Sequence, residues 1–145
     1  MRRIFADANI LIAGADSRSG ASRAVLLLAE VGLFKLVVSR QILDEAERNL
    51  RKKLPGALPV FTELLILLNL EILPDPPPAS WARWQGIIED KDAPILESAV
   101  SAQVDRLLTL NTRDFTPQVA AASGLLIQTP SQLIMELRDI VTAEL

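Results

Sequence analysis

The chain contains no cysteine and no histidine. The first absence excludes disulfides, thiol nucleophiles and thiolate metal sites; the second removes the imidazole that most acid–base and zinc sites use. Whatever chemistry occurs falls to carboxylates, hydroxyls, amides and cations. Long apolar runs are also missing: the most hydrophobic stretch, 64–73, is interrupted by Asn69 and Glu71 and is too short to span a bilayer. The two arginines near the start are not followed by a long apolar segment, so no secretory signal is expected. These features predict a cytoplasmic protein without a membrane segment. Positive charge is not in surplus either, with 15 Lys and Arg against 18 Asp and Glu, a net charge of −3 and a pI near 5.0. That balance argues against holding nucleic acid by a broad basic surface, but leaves room for an acidic, metal-dependent enzyme acting on phosphodiesters.

Half of the 145 residues are apolar, enough for one domain over residues 1–145 to bury a core without covalent staples. The chain is organised around Arg3-Ile4-Phe5-Ala6-Asp7-Ala8-Asn9-Ile10-Leu11-Ile12, where a short apolar strand ends abruptly in an aspartate. A helix-like run over 9–14 follows, so Asp7 reads either as a helix cap or as a functional acid at a strand's carboxyl end. Helices are predicted over 21–31, 40–53, 60–68, 79–88 (carrying Trp81 and Trp84) and 93–103, with a final helix after Pro130 capped by Ser131. Strands are predicted over 33–38, 106–110 and 125–128; 70–73 is either a short strand or the tail of a helix. The alternation predicts an α/β fold: a three-layer sandwich in which helices cover both faces of a central, mostly parallel sheet.

The acids carry the functional signal. On a helical wheel for 40–53, Ile42, Leu43, Ala46, Leu50 and Leu54 form one face, and Asp44, Arg48 and Arg51 lie opposite. Glu45 falls at the apolar edge, where it either faces solvent or reaches into a cleft. Asp92 falls in the middle of the apolar arc of Ile95, Leu96, Ala99, Val100 and Ala102, so it is a cap or it points at something held at the sheet edge. Asn111 and Asp114 sit in a turn after a predicted strand, where Asx residues are common. Acids converging from these places resist ionising together unless a divalent cation neutralises them. Oxygen ligands without histidine or cysteine select Mg²⁺ or Mn²⁺, ions that activate water for attack on phosphate.

Four segments, in order, resemble the PIN domain family of small metal-dependent nucleases, which includes toxins of toxin-antitoxin pairs. They are Phe5-Ala6-Asp7-Ala8-Asn9-Ile10-Leu11-Ile12, Ser39-Arg40-Gln41-Ile42-Leu43-Asp44-Glu45-Ala46, Asp92-Ala93-Pro94-Ile95-Leu96-Glu97-Ser98-Ala99 and Leu107-Leu108-Thr109-Leu110-Asn111-Thr112-Arg113-Asp114-Phe115. The resemblance implies that Asp7, Glu45 and Asp92 bind one or two Mg²⁺ or Mn²⁺ ions, with a fourth position supplied by the segment from Thr109 to Asp114. The strict Thr-x-Asp pattern is not met: Thr109-Leu110-Asn111 offers an amide, so Asn111 and Asp114 compete for that position. Thr109 is expected to hydrogen-bond a carboxylate or the attacking water, and Asp105 to be structural. The resemblance further implies RNA cleavage, a homodimer and an antitoxin partner.

Two other readings compete. A phosphatase of the haloacid-dehalogenase type also begins with an aspartate after its first strand, but uses Asp-x-Asp where this chain has Asp7-Ala8-Asn9. A PIN-like fold with a damaged site, acting only as a binding module, is favoured by Asn111. A surplus of large apolar residues over 60–68 and around Trp81 and Trp84 is expected to mark an interface. Close approach of Asp7, Glu45 and Asp92 is expected to raise at least one of their pKa values through mutual repulsion.

Overall fold

A computed structural model describes residues 2–144. Five strands, β1 (Arg3–Ala6), β2 (Lys35–Ser39), β3 (Glu71–Leu73), β4 (Arg106–Leu108) and β5 (Ile127–Gln128), form one sheet in the order β3-β2-β1-β4-β5, and every pairing is parallel. Consecutive residues of a strand point to opposite faces. Ile4, Phe5 and Ala6 are all buried, as are Leu36, Val37 and Val38 and also Leu107 and Leu108, so both faces of the sheet are covered. This is the layered α/β arrangement expected, with a sheet that is parallel throughout.

Among the described residues eight helices accompany it: α1 (Ala8–Asp16), α2 (Ala21–Glu30), α3 (Arg40–Lys53), α4 (Leu58–Leu67), α5 (Pro78–Trp81), α6 (Ala93–Ser101), α7 (Pro117–Ser123) and α8 (Pro130–Glu144). Helix α1 packs on α2, α3 and α4, and α8 packs on α2, while α5 lies against α6. The α1–α2 contact is close at Gly14, where a Cβ would run into Leu26. Ser39 ends β2 and starts α3, its Oγ accepting the Ile42 N–H at 3.3 Å. That cap sets the direction in which α3 leaves the sheet, and therefore where Glu45 points.

The elements differ from expectation in a few places, each with a local cause. The helix expected over 79–88 stops after one turn; a 3₁₀ turn (Ala82–Trp84) follows, and Gly86 takes φ 81, a left-handed conformation that ends it. Strand β4 closes at Leu108 rather than at residue 110, because beyond it the Leu110 and Asn111 N–H groups donate to the side chains of Asn9 and Thr109 and not to a neighbouring strand. Helix α7, to which the sequence reading assigned nothing, starts with Thr116 Oγ1 accepting the Val119 N–H at 3.2 Å and stops at Gly124, φ 75. Helix α8 is capped by Thr129 and not by Ser131. Thr129 Oγ1 accepts from the Gln132 N–H at 3.2 Å, while Gln132 Oε1 accepts from the Thr129 N–H at 2.8 Å, a reciprocal capping box.

Trp84 is buried, and its Nε1–H donates to Glu97 Oε1 at 2.8 Å, so it belongs to the interior and not to an interface. Six exposed large apolar residues lie on α2, on α8 and in the loop after α2: Leu27, Val31, Leu33, Met135, Ile140 and Val141. Of the large apolar residues on α4, only Ile66 and Leu67 are exposed. No described helix is long and apolar enough to cross a membrane.

Candidate active site

The chain runs outward from β1 through β2 to β3, then returns to place β4 on the other side of β1. In such a sheet the crevice for a ligand opens at the carboxyl ends of the two strands where the order reverses, here β1 and β4. Asp7 follows β1, and its N–H donates to Leu108 O at 3.0 Å. Thr109 follows β4. A cleft of about 400 Å³ opens at this point, lined by Asp7, Asn9, Glu45, Asp92 and Asn111 together with Ile12, Gln41, Arg48, Asn49 and Lys91. Three of the four expected carboxylates and the expected amide therefore share one space.

Asp7 is 5% exposed and accepts three hydrogen bonds. Its Oδ1 takes the Ala8 N–H at 2.8 Å; its Oδ2 takes the Thr109 hydroxyl at 2.8 Å and Asn9 Nδ2 at 3.2 Å. The capping and functional readings of Asp7 are thus compatible, since one oxygen caps α1 while the other faces the strand-end network. Burial pushes its carboxyl above the ordinary value, against the pull of these donors and of Lys91. Thr109 is fully buried: its hydroxyl donates to Asp7 and accepts from the Asn111 N–H at 2.9 Å, so of its two expected roles it takes that of positioning a carboxylate.

Asp92 precedes α6 at the cap position, yet its side chain makes no capping hydrogen bond. It is 7% exposed, and its Oδ2 is buried with no hydrogen-bond partner. A buried carboxylate oxygen left without a donor is costly, so the helix-start reading does not account for it. Burial drives the Asp92 carboxyl up to about 7, with Asp114 adding to the rise and Lys91 opposing it. Glu45 reaches the cleft from α3; burial raises its pKa first, and the charge of Asp7 adds to that. At least one raised acid was expected from mutual repulsion; all three are raised, and desolvation is the leading cause in each.

The two candidates for the fourth position are bonded to each other. Asn111 Nδ2 donates to Asp114 Oδ2 at 3.0 Å, and Asn111 Oδ1 accepts the Asp114 N–H at 3.2 Å. The Asn111 donor, together with Asp92 and Lys91, holds the Asp114 carboxyl below its ordinary value. Asn111 lines the cleft; Asp114 meets it from the side of Lys91 and Glu89. Asp105 accepts the Arg3 N–H through Oδ2 at 2.7 Å, the structural place expected for it.

Five polar cleft residues, Asn9, Gln41, Arg48, Asn49 and Lys91, were not singled out from the sequence. Asn9 joins the ends of β1 and β4, its Nδ2 reaching Asp7 and Thr109 and its Oδ1 accepting the Leu110 N–H at 3.0 Å. Gln41 and Arg48 line the cleft with Glu45 at spacings of four and three residues, so the polar stripe of α3 faces inward at one end, and Arg48 does not sit opposite as the wheel placed it. Lys91 stands among the acids, 3.3 Å from Asp114 Oδ2. Only the Asx spacing after Asp7 and the i, i+3 and i+4 pattern of α3 were available as signals for the first three.

An all-oxygen donor set with an unpartnered buried carboxylate oxygen fits a hard dication. Residues 3–113 match the PIN domain family. No curated protein matches the chain. Similar folds occur in VapBC2 from Rickettsia felis bound to a DNA fragment from their promoter (TM-score 0.64, 16% identity, 88% of this chain and 98% of that one) and in PAE2754 from Pyrobaculum aerophilum (TM-score 0.65, 19% identity, 95% and 90%). DNA-bound VapBC from Salmonella typhimurium is similar to the same degree (TM-score 0.64, 19% identity, 90% and 99%). With the family matched over residues 3–113 and the acids gathered where its fold places a ligand, this chain belongs to the PIN domain family.

Proposed function

We propose that this protein is a metal-dependent endoribonuclease, a single nuclease domain over residues 1–145 that acts in the cytoplasm as the toxin of a toxin-antitoxin pair. The observation that carries the reading is the Asp92 Oδ2 atom, buried in a polar cleft with no donor and no capping role. Asp7, Glu45 and Asp92 hold Mg²⁺ or Mn²⁺. Bound there, such an ion supplies activated water and stabilises charge on the scissile phosphate. Thr109 and Asn9 keep the Asp7 carboxylate turned, and Arg48 gives an otherwise acidic cleft a cation to meet phosphates. The antitoxin follows from the family resemblance, and two similar structures being VapBC assemblies fits it.

Membership of the PIN family sets aside the haloacid-dehalogenase reading. A PIN fold reduced to a binding module draws support from Asn111 in the fourth position. Titration of the purified protein with Mn²⁺ decides between that module and the nuclease, because the nuclease reading requires saturable binding and heat-independent loss of it in chelator. Absence of binding at millimolar Mn²⁺ removes the metal and the mechanism together.

Within that titration, Asp114→Asn is expected to weaken Mn²⁺ binding about tenfold, roughly 1.4 kcal/mol, and Asn111→Ala by less. A carboxylate contributes charge to the site that an amide does not. The reverse order of the two variants assigns the fourth position to Asn111.

Two copies are expected to associate. Apolar side chains of α2, α8 and the loop after α2 border a groove lined by Leu28, Leu33, Ile134, Leu137, Ile140 and Val141, an exposed apolar groove of the kind that a second copy covers. Light scattering at micromolar concentration is expected to give twice the 15.9 kDa chain mass, and a value equal to the single chain counts against the dimer.

A further inference from the structure

We propose that Lys91 is a tethered counter-cation of the acidic cleft: its ammonium occupies the place among Glu89, Asp92 and Asp114 where a second divalent ion would bind, and so restricts the site to one. The inference rests on the proposed reading of Asp7, Glu45 and Asp92 as ligands of the first ion.

Among the described residues, one trio of carboxylates offers oxygens that all lie within 4.8 Å of one another, and it is Glu89, Asp92 and Asp114. Two oxygens on one Mg²⁺ or Mn²⁺ at about 2.1 Å are separated by at most about 4.2 Å, so this trio is a small side-chain adjustment from a metal site. Acidic residues at a surface often gather without any ion. Here a second observation singles the trio out: its member Asp92 is 7% exposed and its Oδ2 has no hydrogen-bond partner.

The Lys91 ammonium stands against all three members, with Nζ 3.3 Å from Asp114 Oδ2, 3.8 Å from Glu89 Oε2 and 4.0 Å from Asp92 Oδ2. The last separation is too long for a hydrogen bond, which leaves the Asp92 oxygen available to the cleft. Lys91 precedes Asp92 in a turn closed by the Asp92 N–H donating to Glu89 O at 3.0 Å, so the cation is joined to the trio by the chain itself. A tethered cation competes at a high effective concentration, whereas an ion from solution must be bound anew. The ammonium brings one charge and three donors, against two charges and a demand for about six oxygens from a dication. It neutralises Asp114 without drawing the trio's remaining oxygens inward. Two cations cannot share the space, because each would repel the other at contact distance.

The test is the number of Mn²⁺ ions bound per chain at saturation, measured by calorimetry on the wild type, Lys91→Met, Lys91→Arg and the double variant Lys91→Met with Asp114→Asn. The Lys91 side chain is 65% exposed, so its replacement leaves the fold intact, and thermal melting of each variant verifies that. One ion is expected for the wild type and for Lys91→Arg, two for Lys91→Met, and one again for the double variant. A count of one in Lys91→Met beside one in the wild type overturns the role of Lys91 and leaves the metal reading standing. Two ions in the wild type, or two persisting in the double variant, overturn it as well. No binding by any of the four proteins overturns both.

Discussion

Asp92→Asn is expected to abolish Mg²⁺- or Mn²⁺-dependent cleavage of RNA, with a loss of on the order of 100-fold or more, equivalent to about 2.7 kcal/mol of transition-state stabilisation. The substitution keeps the shape of the side chain and removes the charge. Asp92 is the acid with an uncommitted oxygen, so its change disturbs the fewest existing contacts: no capping bond is lost and Oδ2 has no donor to lose. Asp7→Asn is a poorer probe, since Asp7 accepts from Ala8, Asn9 and Thr109 and an amide has one acceptor oxygen to meet three donors. Cleavage of a panel of RNAs at wild-type rates by purified Asp92→Asn would exclude Asp92 as a ligand.

The same variant is expected to be more stable than wild type at neutral pH in chelator, and the gap to depend on pH. The Asp92 carboxyl has an ordinary value of 3.8 and is raised to about 7 in the folded chain, so the folded state retains a proton that the unfolded state releases. Stability is unaffected by this group below pH 3.8, falls as pH rises through the window up to about 7, and carries the full cost above it. At about 1.4 kcal/mol per pKa unit the ceiling is roughly 4 kcal/mol. The cleft is open to water, so we expect about 1 to 3 kcal/mol, a rise in melting temperature of several degrees for a chain of this size. Asparagine reproduces the neutral acid in shape and in its lack of charge beside Asp114. Mn²⁺ is expected to close the gap by stabilising the wild type alone. A difference between the two proteins that stays constant from pH 4 to pH 8 in chelator would show that Asp92 titrates normally.

Two of the acids singled out by sequence broke a pattern: Asp92 interrupts an apolar arc and Asp7 ends an apolar strand, and the structure buries both side chains. Strands β1 and β2 were legible as short continuous apolar runs, and helix α3 by a period sustained over 14 residues. Helix α7 is seven residues long, and its start at Thr116-Pro117 and stop at Gly124 bracket too little sequence for a period to show. The helix around Trp81 was overextended because Gly86 reads as tolerable in a helix until its φ is known. Lys91 and Asn9 were illegible for a different reason. Their contacts reach Asp114 and Thr109, residues far along the chain, and no local pattern announces a partner at that separation. The wheel of α3 gave the helix and its buried face, but which polar edge meets the cleft depends on how α3 is set against β1 and β4.

The central position of β1 governs when the site comes into being. Its residues pair with Lys35, Leu36 and Val37 on one side, but the other side waits for Arg106, Leu107 and Leu108, about a hundred residues later. At roughly 5 to 20 residues per second of synthesis, that interval lasts on the order of 5 to 20 s. During it a nascent chain has made Asp7 and Glu45 but neither the Thr109 hydroxyl that turns Asp7 nor the second wall of the cleft. Pairings of such long sequence separation are late events in folding, because loop closure must be met before the contact forms. The acids are therefore gathered only once β4 has been made, and a fragment ending before β4 lacks both the Thr109 hydroxyl and the second wall of the cleft.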